Sequence, residues 1–253
     1  MGFEVHDGVV IVNHSHSEFA DTSVESNPTS ANIDGLEVHS AFLRKRKRSR
    51  RGNGENHRVA GDNCPMIYAL KGKDGLTTTR CEVLKLNAHL TEVLSKFVLS
   101  SGDWDMIVSL PSSHTIGHII ARRLHRAFEM QCSAVNDMFR KKNIFEARVE
   151  VKASSLPAQE KRYFEDQLSK QRKEVGWGGS YSLKGIKVRH REKLSPLVMI
   201  NPPQKGVVQR VLLVDDVVSS GTTVNSAKSL IAQCLGDVEV QAFCLFSASG
   251  KKR

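Results

Sequence analysis

The sequence predicts an α/β protein with a mostly parallel, five-stranded sheet and flanking helices. Two segments carry this prediction, because each is a short apolar run that leads through a polar turn into an amphipathic helix. The run at 211–214 has no polar alternation, which is typical of a strand buried on both faces of a parallel sheet. Apolar positions between 224 and 235 then predict a helix. The run at 106–110 repeats this design, with a helix predicted over 116–128.

The first part of the chain is poor in large apolar residues and predicts an N-terminal extension over residues 1–60. Apolar runs at 9–12 and 36–43 predict short strands joined by a loose loop. The extension also carries a basic arm at 44–51, with seven cations in eight residues. Three interpretations of this arm stay open: contact with nucleic-acid phosphates, a nuclear address, or a solubilising linker.

Residues 61–253 are predicted to form the main domain, with an enlarged insertion at 143–209. Its other predicted elements are a strand at 66–70, a helix at 81–99, a strand at 133–139, a helix at 157–175 and a last strand at 238–247. The insertion is too long for a structureless loop in a compact domain. Within it, Tyr163, Trp177 and Tyr181 are candidates either for stacking on a base or for packing.

An acidic pair, Asp215 and Asp216, follows the predicted strand at 211–214, and the carboxyl ends of parallel strands are where ligand crevices form. Small and hydroxyl-bearing residues come next, namely Ser219, Ser220, Gly221, Thr222 and Thr223. Unpaired backbone N–H groups, the positive end of a helix dipole and these hydroxyls together predict an anion cradle. Because the carboxylates would repel a phosphate, we expect them to face ribose hydroxyls or Mg²⁺. An ordinary strand-to-helix turn is the alternative.

This segment resembles the phosphoribosyl pyrophosphate (PRPP) signature of type I phosphoribosyltransferases, in which two acidic residues precede a Ser/Thr/Gly loop. The resemblance implies that Asp215 and Asp216 are catalytic and hold the ribose 2- and 3-hydroxyls, meeting Mg²⁺ indirectly through those hydroxyls or water. It also implies that residues 219–223 bind the 5-phosphate. Purine-salvage members carry an acidic general base where this chain has Ser219, and a hydroxyl is a poor proton acceptor at neutral pH.

Two further groups become candidates for binding pyrophosphate through this resemblance. The turn after 106–110 contains Ser112, Ser113, His114 and Thr115, and the corresponding turn of the family binds pyrophosphate. The alternative is a turn that only begins and caps the next helix. Arg140, Lys141 and Lys142 follow the strand at 133–139, where orotate-type members place a basic cluster on pyrophosphate. An exposed strand end is the alternative for these three cations.

The resemblance implies a Mg²⁺-dependent enzyme that transfers phosphoribose from PRPP to a nitrogenous acceptor and releases pyrophosphate. The run Tyr-Ala-Leu-Lys-Gly at 68–72 is also similar to a short motif of the competence-associated ComF-like branch. Two other functions stay open. One is a non-catalytic regulator that binds PRPP or nucleic acid, and the other is an effector of a bacterial anti-phage (retron-like) system that modifies nucleotides or nucleic acid.

Composition agrees with an anionic ligand, because the 253-residue chain has a formal net charge of +10. PRPP, a related sugar phosphate or nucleic acid reached through 44–51 would all suit this charge. The five cysteines are odd in number and widely spaced, which favours reduced thiols and a cytoplasmic protein. No apolar run approaches the roughly 18 residues of a membrane span, so we expect no membrane partner. A homo-oligomer or a larger assembly is compatible with the sequence.

Overall fold

The computed structural model describes residues 2–13, 19–45, 64–204 and 206–248, and it confirms an α/β protein. The strands are β1 (Gly2–His6), β2 (Val9–Asn13), β3 (Ala20–Asp21), β4 (Thr29–Ile33), β5 (Leu36–Arg44), β6 (Thr77–Thr78), β7 (Met106–Ser109), β8 (Ser133–Val135), β9 (Phe139–Lys141), β10 (Leu197–Met199), β11 (Arg210–Val218) and β12 (Glu239–Ala248). The helices are α1 (Pro65–Leu70), α2 (Arg80–Ser101), α3 (Ile116–Ala127), α4 (Ile144–Ala153), α5 (Ala158–Val175) and α6 (Thr222–Leu235). A short 3₁₀ helix covers Val188–Lys193.

The central sheet is mixed, and the described residues give it seven strands in the order β3-β5-β12-β11-β7-β8, with β4 attached to β5. The four pairings from β5 through β12, β11 and β7 to β8 are parallel. Strands β3 and β4 instead pair antiparallel with β5. The predicted five-stranded sheet is therefore corrected to seven strands. Both added strands were hard to predict, because β3 has only two residues and β4 is largely polar.

Strand β5 comes from within residues 1–60 and lies beside β12 in the central sheet. Its side chains Leu36, Val38 and Phe42 are buried, so this strand belongs to the apolar core. The predicted strands at 9–12 and 36–43 are confirmed as β2 and β5. Residues 46–51 of the basic arm lie outside the described residues.

Helices cover the two faces of the central sheet. On one face, α2 and α3 pack on a cluster that includes Phe97, Leu124 and Leu212. On the other face, α6 packs through Val224 and Ile231. The strands between them are apolar on both faces, as expected for the centre of a parallel sheet. The packed sheet therefore positions the residues at the ends of its strands.

The insertion at 143–209 has an apolar core of its own. Helices α4 and α5 pack around buried side chains that include Ile144, Val151, Phe164 and Leu168. Helix α4 begins with a capping box between Asn143 and Glu146, which satisfies N–H groups at its first turn. The predicted helix at 157–175 is confirmed as α5. Strands β9 and β10 pair antiparallel and connect this unit to the sheet.

Two predicted strands are wrong in detail. Residues 66–70 form helix α1, because a short apolar run does not distinguish strand from helix and Pro65 favours a helix start. The predicted strand at 133–139 is divided into β8 and β9, which belong to different sheets. Residues 136–138 separate the two halves, and the Asp137 side chain accepts a hydrogen bond from Asn201 Nδ2 (2.9 Å).

All five cysteines of the chain are free thiols in this structure. Cys64 and Cys244 are completely buried, and burial raises the pKa of each thiol to about 12. These two thiols are therefore packing groups with little thiolate character. Across the described parts of the chain, every helix is too short or too polar to cross a membrane.

Candidate functional site

The connections of the central sheet reverse direction between β7 and β11. Strand β7 continues through α3 to β8 on one side, whereas β11 continues through α6 to β12 on the other. Because α3 and α6 lie on opposite faces, a crevice opens between the carboxyl ends of β7 and β11. The acidic pair lies near the carboxyl end of β11, and the 219–223 loop and the 112–115 turn follow β11 and β7. The topology therefore brings most of the predicted site residues to one edge of the sheet.

The acidic pair lies inside β11 rather than beyond its end. Side chains alternate along a strand, and Asp216 points to the α3 face while Asp215 points to the α6 face. Gly117 at the start of α3 packs against this backbone, and an added Cβ would lie 3.7 Å from the Asp216 nitrogen. This distance is an ordinary van der Waals contact, so the start of α3 lies directly against the acidic pair.

Asp216 is buried and joins three segments of the chain. Its Oδ2 atom accepts a hydrogen bond from Ser112 Oγ (3.0 Å) in the turn after β7. The same oxygen forms an ion pair with Lys71 Nζ at 2.6 Å, just after α1. Since both contacts fall on Oδ2, they fix the carboxylate through one of its two oxygens.

Asp215 is in a different electrostatic situation. Burial, and next the charge of Asp216, raise its pKa from 3.8 to about 7, although part of the side chain still reaches solvent. A hydrogen bond from the Asp216 N–H to Asp215 Oδ1 (2.8 Å) and the charges of Lys71 and Lys141 oppose this rise. The Asp215 carboxyl group, with a pKa of about 7, therefore gains or loses a proton near neutral pH.

The 219–223 loop begins α6 in the geometry of an anion cradle. Gly221 has φ +77°, and a Cβ there would lie 2.5 Å from Ile33 Cγ2, so only glycine fits. Ser220 Oγ and Thr222 Oγ1 lie 3.1 Å apart and share a hydrogen bond. Among the described residues, no backbone acceptor is present for the N–H groups of 219–223. These groups are free to donate to an anion at the helix N-terminus.

The 112–115 turn faces the same crevice. Ser112 contacts Asp216 and also accepts a weak hydrogen bond from the His114 N–H (3.4 Å). Partial burial lowers the pKa of His114, and the charges of Lys71, Lys73 and Lys141 lower it further. Ser113 and Thr115 are exposed at this turn, and Thr115 makes no side-chain cap to α3. Several positive charges therefore act on the mouth of the crevice.

The three predicted pyrophosphate-binding cations point to two different sides of the chain at β9. Arg140 forms a two-bond ion pair with Glu146 on α4. Lys142 is buried and pairs with Glu150 on the same helix. Lys141 points the other way, is exposed, and lies close enough to Asp215 and His114 to shift their pKa values. The structure brings Lys141 to the crevice and places the other two cations against the insertion.

A cavity of about 180 Å³ lies beside the 219–223 loop. It is lined by Lys141, Ser180, Tyr181, Ser182, Leu183, Pro196, Leu197 and Thr223. The insertion thus forms one wall of the space next to α6. A larger cavity, of about 400 Å³, lies at the opposite edge of the sheet near Asp105, Met106 and Ser133. That cavity is far from the acidic pair, at the amino ends of the strands.

Sequence reasoning missed the role of Lys71 in this site. The sequence predicted no site residue in the run at 68–72, yet the structure places the Lys71 ammonium group on Asp216. The signal available was a Lys-Gly pair directly after an apolar run. Of the three candidate stacking aromatics, Tyr181 is buried, and the Tyr163 hydroxyl accepts a hydrogen bond from the Lys187 N–H (2.8 Å). Both therefore belong to the packing of the insertion.

The carboxylate oxygens of Asp215 and Asp216 suit a Mg²⁺ ion that is also coordinated by a bound phosphate group. Mg²⁺ prefers oxygen ligands and usually binds through one or two carboxylates together with substrate phosphates and water. Within the described ranges, no group of three or more His, Cys, Asp or Glu side chains could hold a metal ion.

No protein-family model matches this chain, and no curated protein matches it either. The assignment of a function therefore depends on the geometry of the crevice.

Proposed function

We propose that this protein is a type I phosphoribosyltransferase-like enzyme that binds PRPP with Mg²⁺ and transfers phosphoribose to a nitrogenous acceptor, releasing pyrophosphate. The supporting observation is the contact between Asp216 on β11 and Ser112 after β7, which unites two predicted half-sites in one crevice. In this proposal the parallel strands β5, β12, β11, β7 and β8 form the family's sheet. Strands β3 and β4 are additions at its edge, and the 143–209 insertion serves as the hood.

The 5-phosphate binds at the N-terminus of α6. The free N–H groups of residues 219–223 and the hydroxyls of Ser220 and Thr222 donate hydrogen bonds to it. Each charge-assisted hydrogen bond contributes about 1.5–3 kcal/mol, so a few of them suffice for about micromolar affinity after ordering costs. The positive φ of Gly221 gives the loop the shape that this binding requires.

Asp215 and Asp216 accept hydrogen bonds from the ribose hydroxyls. Lys71 and Ser112 occupy only the Oδ2 atom of Asp216, which leaves Oδ1 for the ligand. Asp215 and Asp216 would hold a Mg²⁺ ion indirectly, through the ribose hydroxyls or water, and the ion would supply positive charge for the leaving group.

Lys141 and Lys71 are the cations that face the leaving pyrophosphate. Lys141 is exposed at the crevice, whereas Arg140 and Lys142 are held by Glu146 and Glu150. In the reaction, a nitrogen of the acceptor forms a bond to the anomeric carbon as the bond from this carbon to pyrophosphate breaks. Pyrophosphate leaves with the electron pair, and the proton of the acceptor nitrogen passes to solvent, since Ser219 cannot accept it at neutral pH.

The second candidate function is a non-catalytic PRPP-binding regulator. It is favoured by one observation, which is that Lys71 already neutralises Asp216 and holds it through an ion pair. A site of this kind could bind PRPP as a sensor without a base to complete transfer. Release of pyrophosphate distinguishes the two functions, because only the enzyme produces it.

Binding is tested by thermal unfolding and hydrogen exchange with PRPP and Mg²⁺, with ribose 5-phosphate as a second probe. We expect PRPP to raise the melting temperature and to protect the amides of residues 216–224. Asp216→Asn should abolish both effects. Glu37→Gln, an exposed acid on β5, is the matched control and should keep both. If PRPP with Mg²⁺ changes neither quantity in the wild-type protein, the site assignment is wrong.

Turnover is tested by measuring pyrophosphate released from PRPP in the presence of a panel of nucleobases, nucleosides and amines. We expect release with at least one acceptor, together with a new nucleotide product detected by mass spectrometry. Binding of PRPP without release across the panel would support the regulator instead. Release that persists in Asp215→Asn and Asp216→Asn would contradict both functions at this site.

A further inference from the structure

The outer surface of the insertion carries an unusual group of exposed side chains, which we call the Trp177 surface. It consists of Phe145, Arg148, Val149, Arg172, Val175 and Trp177. The exposed fractions of Phe145, Val149 and Val175 are 59%, 51% and 54%, and that of Trp177 is 37%. Phe145 and Trp177 are the aromatic residues among the exposed large apolar residues that the structure describes. Exposed aromatics gathered in one place indicate a binding surface.

Helix α4 explains why these side chains are exposed. Its inward face carries Ile144, Ala147 and Val151, which are completely buried in the core of the insertion. Phe145 and Val149 are four residues apart and therefore share the outward face. A helix of a globular domain normally presents polar residues there. Helix α4 is thus apolar on a face that its own domain does not cover.

Trp177 is held in place from its backbone. Its carbonyl accepts a hydrogen bond from the Phe145 N–H (3.1 Å), and the Gly179 carbonyl accepts one from the Ile144 N–H (3.0 Å). These bonds tie the loop after α5 to the first turn of α4. The indole then meets the Phe145 ring edge to face, with ring centroids 6.4 Å apart. The two exposed rings are therefore fixed relative to each other, which reduces the ordering cost of binding.

Two guanidinium groups lie over the indole. The Arg148 group is 5.0 Å from the centre of the Trp177 ring, and the Arg172 group is 4.8 Å from it. Within the described part of the chain, neither arginine forms an ion pair with a carboxylate. By contrast, the acids of α4, Glu146 and Glu150, are already paired with other cations. The surface therefore offers two uncompensated positive charges next to exposed aromatic rings.

We propose that the Trp177 surface binds single-stranded nucleic acid. Aromatic rings stack on unpaired bases of any sequence, and arginine combines stacking with attraction to the phosphate backbone. The charge of this surface complements a polyanion, as does the net charge of +10 of the chain. This inference uses no residue of the PRPP crevice and does not depend on the proposed function.

The charge pattern decides between nucleic acid and an apolar protein partner. Burying Arg148 and Arg172 under an apolar protein surface would leave two charges without partners, which is unfavourable. A strand of nucleic acid supplies one phosphate for each base and so satisfies both kinds of side chain together. Binding should therefore weaken steeply as the salt concentration rises.

The test measures binding of labelled oligothymidylate and oligouridylate of roughly 20 nucleotides to the full chain by fluorescence anisotropy. Arg148→Ala combined with Arg172→Ala should weaken binding about tenfold or more, and should reduce the slope of log affinity against log salt by about 1.4, or 0.7 for each lost phosphate contact. The matched control is Arg122→Ala with Arg126→Ala, which removes two exposed cations from α3. We expect the control to keep its affinity within about twofold.

A second readout uses tryptophan fluorescence. The chain has two tryptophans, and Trp104 is 4% exposed, so quenching by an oligonucleotide reports on Trp177. Trp177→Phe should lose the quenching and keep most of the affinity, whereas Trp177→Ala should lose about tenfold in affinity. Equal weakening in the arginine pair and in its control would overturn the proposal. Equal affinity for duplex DNA, or a change of oligomeric state in Trp177→Ala without loss of binding, would also overturn it.

Discussion

The crevice between β7 and β11 and the boundary between β9 and the 143–209 insertion differ in how their charged side chains are paired. In the crevice, burial and next the charge of the neighbouring Asp216 raise the pKa of Asp215 to about 7. Where the insertion meets β9, Arg140 and Lys142 each have a glutamate partner on α4. Paired charges stabilise a fold modestly, whereas crowded like charges are unfavourable until a ligand relieves them. The contrast supports the crevice as the candidate site for a ligand.

The two regions also differ in how the chain builds them. The crevice joins α1, β7 and β11, which are far apart in sequence, through contacts such as Lys71 with Asp216 and Ser112 with Asp216. The insertion is formed by consecutive elements around a core of its own. A local unit of this kind can lose its packing while the sheet stays folded. Substitutions in the two regions should therefore separate stability from ligand binding.

The largest effect on stability is expected for Phe164→Ala in the core of the insertion. Phe164 is completely buried, and its removal leaves a cavity that costs about 3–5 kcal/mol. Urea unfolding followed by fluorescence should show a lower midpoint, together with rapid hydrogen exchange in α4 and α5. Phe145→Ala is the control, because this ring is exposed and its loss should cost less than about 0.5 kcal/mol.

The same substitution tests how far the two regions depend on each other. If the insertion is a separate unit, amides of β7 and β11 should keep their protection in Phe164→Ala. Uniform loss of protection across the whole chain would show that the insertion and the sheet unfold together, and that the insertion is not a separate unit.

The next largest effect on stability is expected for Gly221→Ala in the 219–223 loop. A Cβ at this position has both an unfavourable φ of +77° and a 2.5 Å contact with Ile33. Backbone strain and overpacking together should cost about 2–4 kcal/mol and should abolish PRPP binding. Chemical denaturation and calorimetry with PRPP and Mg²⁺ measure the two consequences.

Gly35→Ala is a closely matched control for this substitution. Gly35 has φ +79°, and its Cβ would meet nothing within 4 Å, so it isolates the cost of backbone strain at about 1 kcal/mol. PRPP binding should be unchanged in this variant. A Gly221→Ala protein as stable as Gly35→Ala would mean that Ile33 moves aside and that the loop is less constrained than its geometry indicates.

The sequence predicted the parts of the fold that follow one periodicity over enough residues. The helices at 81–99, 116–128, 157–175 and 224–235 are all present, because apolar side chains at helical spacing leave little choice. Short runs were ambiguous, and so 66–70 was predicted as a strand although it forms α1. The edge strands β3 and β4 were not predicted, since polar residues there pair through the backbone alone.

For the candidate site, the sequence indicated the loops but not their partners. Each half-site follows its strand, so a crevice at the strand ends could be expected from topology. The ion pair between Lys71 and Asp216 crosses from α1 to β11 and has no local sequence signal. The separation of Lys141 from Arg140 and Lys142 depends on side-chain alternation along β9. The predicted strand at 133–139 ends before these cations, so it does not indicate which side each of them faces.

A smaller effect, and one of opposite sign, is expected for Asp215→Asn. The folded protein raises the Asp215 pKa from 3.8 to about 7, so it retains a proton that the unfolded chain releases. Its stability therefore falls as pH rises from about 4 to about 7, and this penalty stays constant above that range. Asparagine removes the penalty, and the variant should be about 2 kcal/mol more stable than wild type near pH 8, after allowance for solvent screening.

Urea unfolding at about pH 4 and about pH 8 measures this difference. The gain from Asp215→Asn should be present at the higher pH and largely absent at the lower one. Asp216→Asn is the contrasting variant, because it leaves the largely buried Lys71 without its counter-charge and should be destabilising at neutral pH. A gain in Asp215→Asn that does not depend on pH would show that the variant does not act by removing the ionised form of Asp215.

The smallest effects on stability are expected for the cations of β9, where the two regions meet. Lys141→Gln removes an exposed charge and should change the free energy of unfolding by less than about 0.5 kcal/mol. Arg140→Gln breaks a partly exposed ion pair with Glu146 and should cost less than about 1 kcal/mol. Calorimetry with PRPP and Mg²⁺ should reverse this order, with affinity about tenfold weaker in Lys141→Gln and unchanged in Arg140→Gln.

This reversal follows from side-chain alternation, since neighbouring residues of one strand serve different regions. Lys141 faces the crevice, whereas Arg140 faces α4 and joins β9 to the insertion. If Arg140→Gln weakens PRPP binding as much as Lys141→Gln does, then Arg140 must exchange Glu146 for the ligand during binding. The insertion would in that case move when PRPP binds, and its paired charges would belong to the mechanism as well as to the fold.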